Sequence, residues 1–204
     1  MATIFAQSEF SGTDWAPLTS ISPTKGGPVV NHPNESGSWY LYGNRALCRT
    51  AGLVYWSGTP ASADYSVTAD IIIKSSIGST GVAGRISTTE RTYYTAYIDQ
   101  TTAKVVLAKR VAGTITTLNV SAGTYGIGTW SLTLDMVGTT IRALVGGTAV
   151  VTVTDASITA AGKAGIRAPV VSDAATGKHV DTFVATDTSV APAGRSYLIG
   201  FVGL

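Results

Sequence analysis

At 204 residues, with 45% hydrophobic and only 13% charged side chains, the chain has the size of one all-β domain and too little glutamate and lysine for a set of exposed amphipathic helices. A formal net charge of +2 without any lysine or arginine cluster excludes a phosphate-binding surface, and with it nucleic acid as a partner. A single cysteine, Cys48, excludes an intrachain disulfide and a cysteine-based zinc site.

The segment from Met1 to Glu9 lacks the basic start and apolar core of a secretory signal, so synthesis and folding in a host cytoplasm are expected. A first strand is predicted near Thr3 to Phe10. From Pro17 to Gly37, prolines 17, 23, 28 and 33 and glycines 26, 27 and 37 predict an irregular covering loop with short extended pieces. Trp39 to Leu47 and Leu53 to Ser57 read as strands. In Tyr65 to Ile73 the alternation is explicit: Tyr65, Val67, Ala69, Ile71 and Ile73 share one face, with Ser66, Thr68 and Asp70 on the other.

Further strands are predicted at Gly81 to Ser87, Thr92 to Gln100, Lys104 to Val111 and Thr114 to Val120, the last two joined through Ala112-Gly113. Trp130, Leu132, Leu134 and Met136 repeat the period of two. Gly138 turns the chain into Ile141 to Val145, and Gly146-Gly147 into Val150 to Thr154. Ala156 to Ala161 reads as one short helical turn, and Lys163 to Pro169 and His179 to Thr186 as the last strands. About a dozen strands exceed one open sheet, so two packed antiparallel sheets with little or no helix are expected.

The body is assigned to residues 1–187. Residues 188–204 form an apolar extension, too short to span a bilayer, in which Tyr197, Leu198, Ile199, Phe201, Val202 and Leu204 need cover, from the domain's own sheet or from a neighbouring subunit.

The order of Phe10-Ser11-Gly12-Thr13-Asp14-Trp15-Ala16-Pro17, Gly84-Arg85, Tyr93-Tyr94-Thr95-Ala96-Tyr97, Gly162-Lys163-Ala164-Gly165-Ile166 and Asp181-Thr182-Phe183 resembles concanavalin A-like lectin/glucanase jelly rolls, in particular the laminin-G-like modules of phage and bacterial proteins. The resemblance spans most of residues 4 to 187. It implies an all-β, two-sheet jelly-roll sandwich and, through its phage-like opening, a virion context.

Chemistry is sparsely signalled. Glycosidases use paired acids about 5–9.5 Å apart, whereas Asp64 and Asp70 lie roughly 20 Å apart along one strand, and the closely spaced acids of the glucanase strand signature are absent. Convergence of acids from different strands stays open. His32 sits in a turn, and no nucleophile elbow accompanies either histidine. His179 and Asp181 supply too few ligands for a metal and no motif supports calcium, so no cofactor is expected.

For sugar binding, Arg85, Tyr93 and Tyr97 are the candidates: the tyrosines alternate onto one strand face and Arg85 belongs to the preceding strand. Trp39, Tyr42, Tyr55 and Trp56 form a second aromatic set, weighed against core packing, and Trp15 and Trp130 read as core anchors. These features predict a non-enzymatic phage virion protein, a capsid decoration or tail component that contacts other virion proteins and itself, with a trimer among the open symmetries. A carbohydrate-binding module that recognises a cell-surface glycan is the alternative, and a glycoside hydrolase the third reading.

Overall fold

The computed structural model describes residues 2–75, 78–99, 101–171 and 177–188. Among them the chain forms fifteen strands: β1 (Thr3–Ser8), β2 (Val29–Asn31), β3 (Ser38–Leu41), β4 (Ala46–Thr50), β5 (Gly52–Trp56), β6 (Tyr65–Ile73), β7 (Ser79–Ile86), β8 (Tyr93–Ile98), β9 (Val105–Val111), β10 (Thr114–Val120), β11 (Gly128–Val137), β12 (Thr140–Val145), β13 (Thr148–Thr154), β14 (Lys163–Val170) and β15 (Lys178–Asp187). The first sheet runs β13-β12-β11-β6-β15-β4-β3, with β1 also paired to β15. The second runs β10-β9-β8-β7-β14-β5-β2. Every pairing is antiparallel, and the two sheets make the expected all-β jelly-roll sandwich.

The core is built by alternation. Tyr65, Val67, Ala69, Ile71 and Ile73 of β6 and Leu132, Leu134 and Met136 of β11 point inward, where they meet Val82, Tyr94, Ala96, Ile98, Leu107 and Ile166 of the second sheet. Each of the larger aliphatic side chains among them contributes roughly 1.5–3 kcal/mol by leaving water. Trp56 of β5 and Phe183 of β15 stack across the sandwich with centroids 3.7 Å apart and planes within 7°, and Phe10 meets Trp56 edge-on.

Three local expectations are corrected and one is refined. Trp39 to Leu47 is two strands, because Gly43 and Asn44 both take positive φ, 58° and 57°, the requirement of a tight two-residue hairpin turn. The covering loop carries a short extended piece, as expected, in β2, which pairs with β5, and adds a single 3-10 turn at Leu18–Ser20 whose Leu18 is buried. Ala156 to Ala161 forms no helical turn; the segment is an irregular link anchored by buried Ile158. Trp15 is no core anchor: its φ is 67° and it is 45% exposed, while Trp130 is half-buried at the margin.

Candidate functional site

The outward face of the second sheet can be read across its strands. Tyr93, Thr95 and Tyr97 of β8 stand opposite Arg110, Ala108 and Val106 of β9. On the other side, Thr95 and Tyr97 stand opposite Ala83 and Gly81 of β7, which face Gly165 and Arg167 of β14, and these face Tyr55 and Leu53 of β5. Gly165, Ala83, Thr95 and Ala108 therefore form a row of small residues across the strands. Tyr93 and Arg110 border it on one side, Tyr97 and Arg167 on the other. Glycine is required where neighbouring strands pinch: a Cβ on Gly165 would lie 2.1 Å from the Val54 carbonyl oxygen, and one on Gly81 2.0 Å from that of Ala96.

Glu35 reaches onto this face from the loop that follows β2. Arg110 Nη1 lies 2.8 Å from its Oε2, Arg167 Nε 3.1 Å from its Oε1, and the Tyr93 hydroxyl donates to Oε2 at 2.7 Å. The Tyr93 ring packs against Leu53, Tyr55, Ala83 and Ile86, with the Arg167 guanidinium 5.6 Å from its centroid. One carboxylate thus holds two arginines and a phenol in fixed orientations, with charge-assisted hydrogen bonds that are stronger than neutral ones. Arg167 Nη1 is buried and finds no acceptor among the described residues, a costly state for a charged donor.

Proton affinities follow from the surroundings. Burial pushes the Tyr93 phenol up to about 12, partly opposed by Arg167 and Arg110. Burial also raises Tyr97 above the ordinary phenol value, with Arg167 opposing. For Arg110, burial works against the charge, yet Tyr93 and Glu35 prevail and raise its pKa. Arg110 therefore stays charged and Tyr93 and Tyr97 stay protonated at neutral pH.

The loop that carries Glu35 is anchored. His32 Nε2 lies 2.9 Å from the Ser87 carbonyl and 3.1 Å from that of Glu90, while the Asn34 amide donates to Nδ1. Both carbonyls are acceptors, so the network assigns the proton to Nε2. The Asn34 side chain donates to the Thr89 carbonyl at 2.7 Å, and Arg91 donates to the Asn34 carbonyl. Arg110 Nε completes the frame by donating to Gly113 at the β9–β10 turn. Between these segments opens a cavity of about 600 Å³ lined by Asn34, Thr89, Glu90, Arg91, Ala112 and Gly113, beside the Glu35 cluster.

Of the sequence-derived candidates, Tyr93 and Tyr97 do share this face, although Tyr93 is fully buried and only Tyr97 reaches solvent. Arg85 lies elsewhere. A bulge at φ 50° turns its side chain to one end of the sandwich, where it donates to the carbonyls of Ala63, Ile158 and Gly138; it ties loops together. Arg110, Arg167 and Glu35 escape a reading of the sequence alone. An arginine between the inward-facing Ile166 and Ala168 of β14 is the one signal that could have found Arg167, and Glu35, in a loop, carries none. Trp39 and Trp56 are in the core. Tyr197, Leu198, Ile199, Phe201, Val202 and Leu204 lie outside the described residues.

Acids from different strands do converge: Asp70 stands directly opposite Asp181 on the outward face of the first sheet, where cross-strand Cβ atoms are about 4.5–5.5 Å apart. Asp181 is held by Arg45 at 3.8 Å. Among the described residues no cluster of three or more histidine, cysteine or acidic side chains could hold a metal.

No protein-family model matches the sequence, and no curated protein matches it. The fold itself is that of the concanavalin A-like lectin/glucanase jelly roll. It is similar to a carbohydrate-binding module, CBM66 from Bacillus subtilis, at 15% identity and TM-score 0.59, covering 78% of this chain and 92% of that one. Domain 4 of AbnA, a GH43 extracellular arabinanase from Geobacillus stearothermophilus solved with arabinotriose, matches at 12% identity and TM-score 0.60, covering 91% and 93%. The galectin LEC-6 of Caenorhabditis elegans matches at 13% identity and TM-score 0.51, covering 68% and 92%. The expectation of a virion structural protein is corrected by these neighbours, which are a carbohydrate-binding module, an arabinanase domain and a galectin, and nothing in them supports a capsid or tail role.

Proposed function

We propose that this chain is a non-enzymatic carbohydrate-binding module that takes a glycan across the outward face of its second sheet and into the adjoining cavity. The observation that carries this reading is the Glu35 cluster: Arg110, Arg167 and Tyr93 converge on one carboxylate next in sequence to Asn34, which with the planar polar side chains of Glu90 and Arg91 lines a cavity. Planar polar groups with fixed orientation suit the geometry of sugar hydroxyls, and Tyr97 adds a partly exposed aromatic ring to the far side of the face. The cavity lies within the size range of small-ligand sites. The fold similarity to a carbohydrate-binding module, a galectin and an arabinanase domain supports the same class of ligand, though fold alone does not define function.

The test is a glycan array probed with the native protein, followed by Arg91→Ala, Asn34→Ala and Tyr97→Ala on any glycan retained. These three side chains are at least partly exposed, so their loss leaves the core intact; Tyr93→Ala would instead report unfolding. Each is expected to weaken binding roughly 5- to 30-fold, the loss of one hydrogen bond or ring contact. An empty array, or binding indifferent to all three, contradicts the reading. Incubation with laminarin or arabinan is expected to release no reducing ends, and turnover abolished by Asp70→Asn would instead favour a hydrolase.

A further inference from the structure

A second aromatic site stands on the opposite side of the sandwich. The segment from Thr13 to Pro17 folds against the edge of β3 and is latched by backbone: Trp15 N–H donates to the Leu41 carbonyl at 2.8 Å, Leu41 N–H to Ala16 at 2.9 Å, and Gly43 N–H to the Asp14 carboxylate at 2.7 Å. Trp15 is thereby fixed in the left-handed region at φ 67°, a strained conformation for a bulky residue of the kind found at functional positions. Its indole is 45% exposed. The Tyr42 ring lies 5.1 Å away, tilted by 52°, and rests edge-on against His179 at 6.3 Å. Trp15 of the loop and Tyr42 of the β3–β4 turn thus form one shelf over the buried His179 ring of β15, held by backbone hydrogen bonds and by the Asp14 carboxylate.

Polar groups adjoin the shelf. Asp181 follows His179 by two residues on the same strand face, about 7 Å along, and is paired with Arg45 at 3.8 Å with both side chains about a third exposed. Asp70 stands across from Asp181. The exposed Arg49 lies over the Trp15 ring at 5.3 Å, a weak contact in open solvent. It marks the position a ligand ring would take, and its guanidinium is free to swing aside as a donor.

We propose that this shelf is a second glycan subsite, in which a sugar ring stacks its C–H face on Trp15 and Tyr42 while Asp181, Arg45 and Arg49 meet its hydroxyls. Exposed rigid aromatics beside planar charged groups are the composition such ligands need. Two sites on opposite faces of one small domain would let a single module grip two chains, or one chain twice, so that retention on a polymer exceeds that of either site alone.

The experiment is affinity electrophoresis of the native protein in gels cast with arabinan, levan, laminarin or polygalacturonate, comparing wild type with Trp15→Ala, Trp15→Tyr, Asp181→Asn and Tyr97→Ala. At least one polymer is expected to retard the wild type. Trp15→Ala should weaken that retention roughly five- to tenfold, Asp181→Asn less, and Trp15→Tyr should keep most of it; Tyr97→Ala should act independently. Near-ultraviolet circular dichroism checks each fold, and Asp181→Asn decides the matter if Trp15→Ala misfolds. Retention lost in Tyr97→Ala but unchanged in Trp15→Ala and Asp181→Asn overturns the second subsite and leaves the first. Retention lost in Trp15→Ala and unchanged in Tyr97→Ala keeps the second and removes the first. Absence of retention in all four gels overturns both.

Discussion

The two outward faces of the sandwich are built by opposite means. On the first sheet, Ser66, Thr68, Asp70 and Ile72 of β6 are all half-buried, and adjacent strands meet through small polar contacts such as Thr68 with Thr133 at 2.8 Å. On the second sheet, β5 and β7 are buried along their whole length, because a loop-borne carboxylate and two arginines close over Leu53, Tyr55 and Tyr93. One face keeps its polar groups in water. The other removes them and must satisfy them with one another, which makes it rigid, pre-oriented and sensitive to the loss of any member.

That contrast orders the expected effects of substitution. Glu35→Ala strips the compensation from two arginines that are 5% and 17% exposed and is expected to cost about 3–5 kcal/mol, the range for breaking a buried ion pair. Urea unfolding measures it; a loss under about 1 kcal/mol would mean that the second face is as solvated as the first. Tyr94→Phe removes the hydroxyl that donates to Asp155 at 2.6 Å and accepts from Ile158, for roughly 1–2 kcal/mol.

pH sharpens the comparison. Tyrosines ionise near 10 when unfolded, whereas burial above all holds Tyr93 and Tyr94 up to about 12. Their folded pKa is raised, so their contribution is complete below pH 10 and lost as pH climbs from about 10 to about 12. Tyr93→Phe should flatten that alkaline limb. At the acid end Asp155 is held well below the usual carboxylate range: burial opposes this, but Lys109 at 2.6 Å, Tyr94 and the Ser157 amide outweigh it. A lowered pKa stabilises above about pH 4 and is lost as pH falls further, so Asp155→Asn should remove part of the acid limb. The smallest effect belongs to the first sheet. Arg45 and Asp181 are 35% and 30% exposed, so Asp181→Asn should change stability by no more than about 1 kcal/mol.

The same contrast explains what the sequence reveals. Where one face is wet, alternation is visible, and β6, β11 and the glycine-turned hairpin of β12 and β13 are legible within a residue or two. Where both faces are covered the alternation vanishes: Leu53-Val54-Tyr55-Trp56-Ser57 reads as a strand but not as one with a site on its far side. Arg85 misleads because a bulge, invisible in sequence, turns it away from the face its position implies. Trp15 misleads because a large aromatic is expected inside, and only its left-handed backbone and the β3 edge it latches to keep it out. Glu35 joins partners from β8, β9 and β14, separated from it by 58 residues or more, and no local pattern encodes such a meeting.

Glycan binding at the second sheet's outward face has a direct solution test. Backbone amide resonances followed during titration with a glycan retained on the array test it most directly. Shifts are expected to cluster on β8, β9 and β14 and on the segments around Asn34, Arg91 and Gly113. A bound glycan that leaves those resonances unmoved would contradict it.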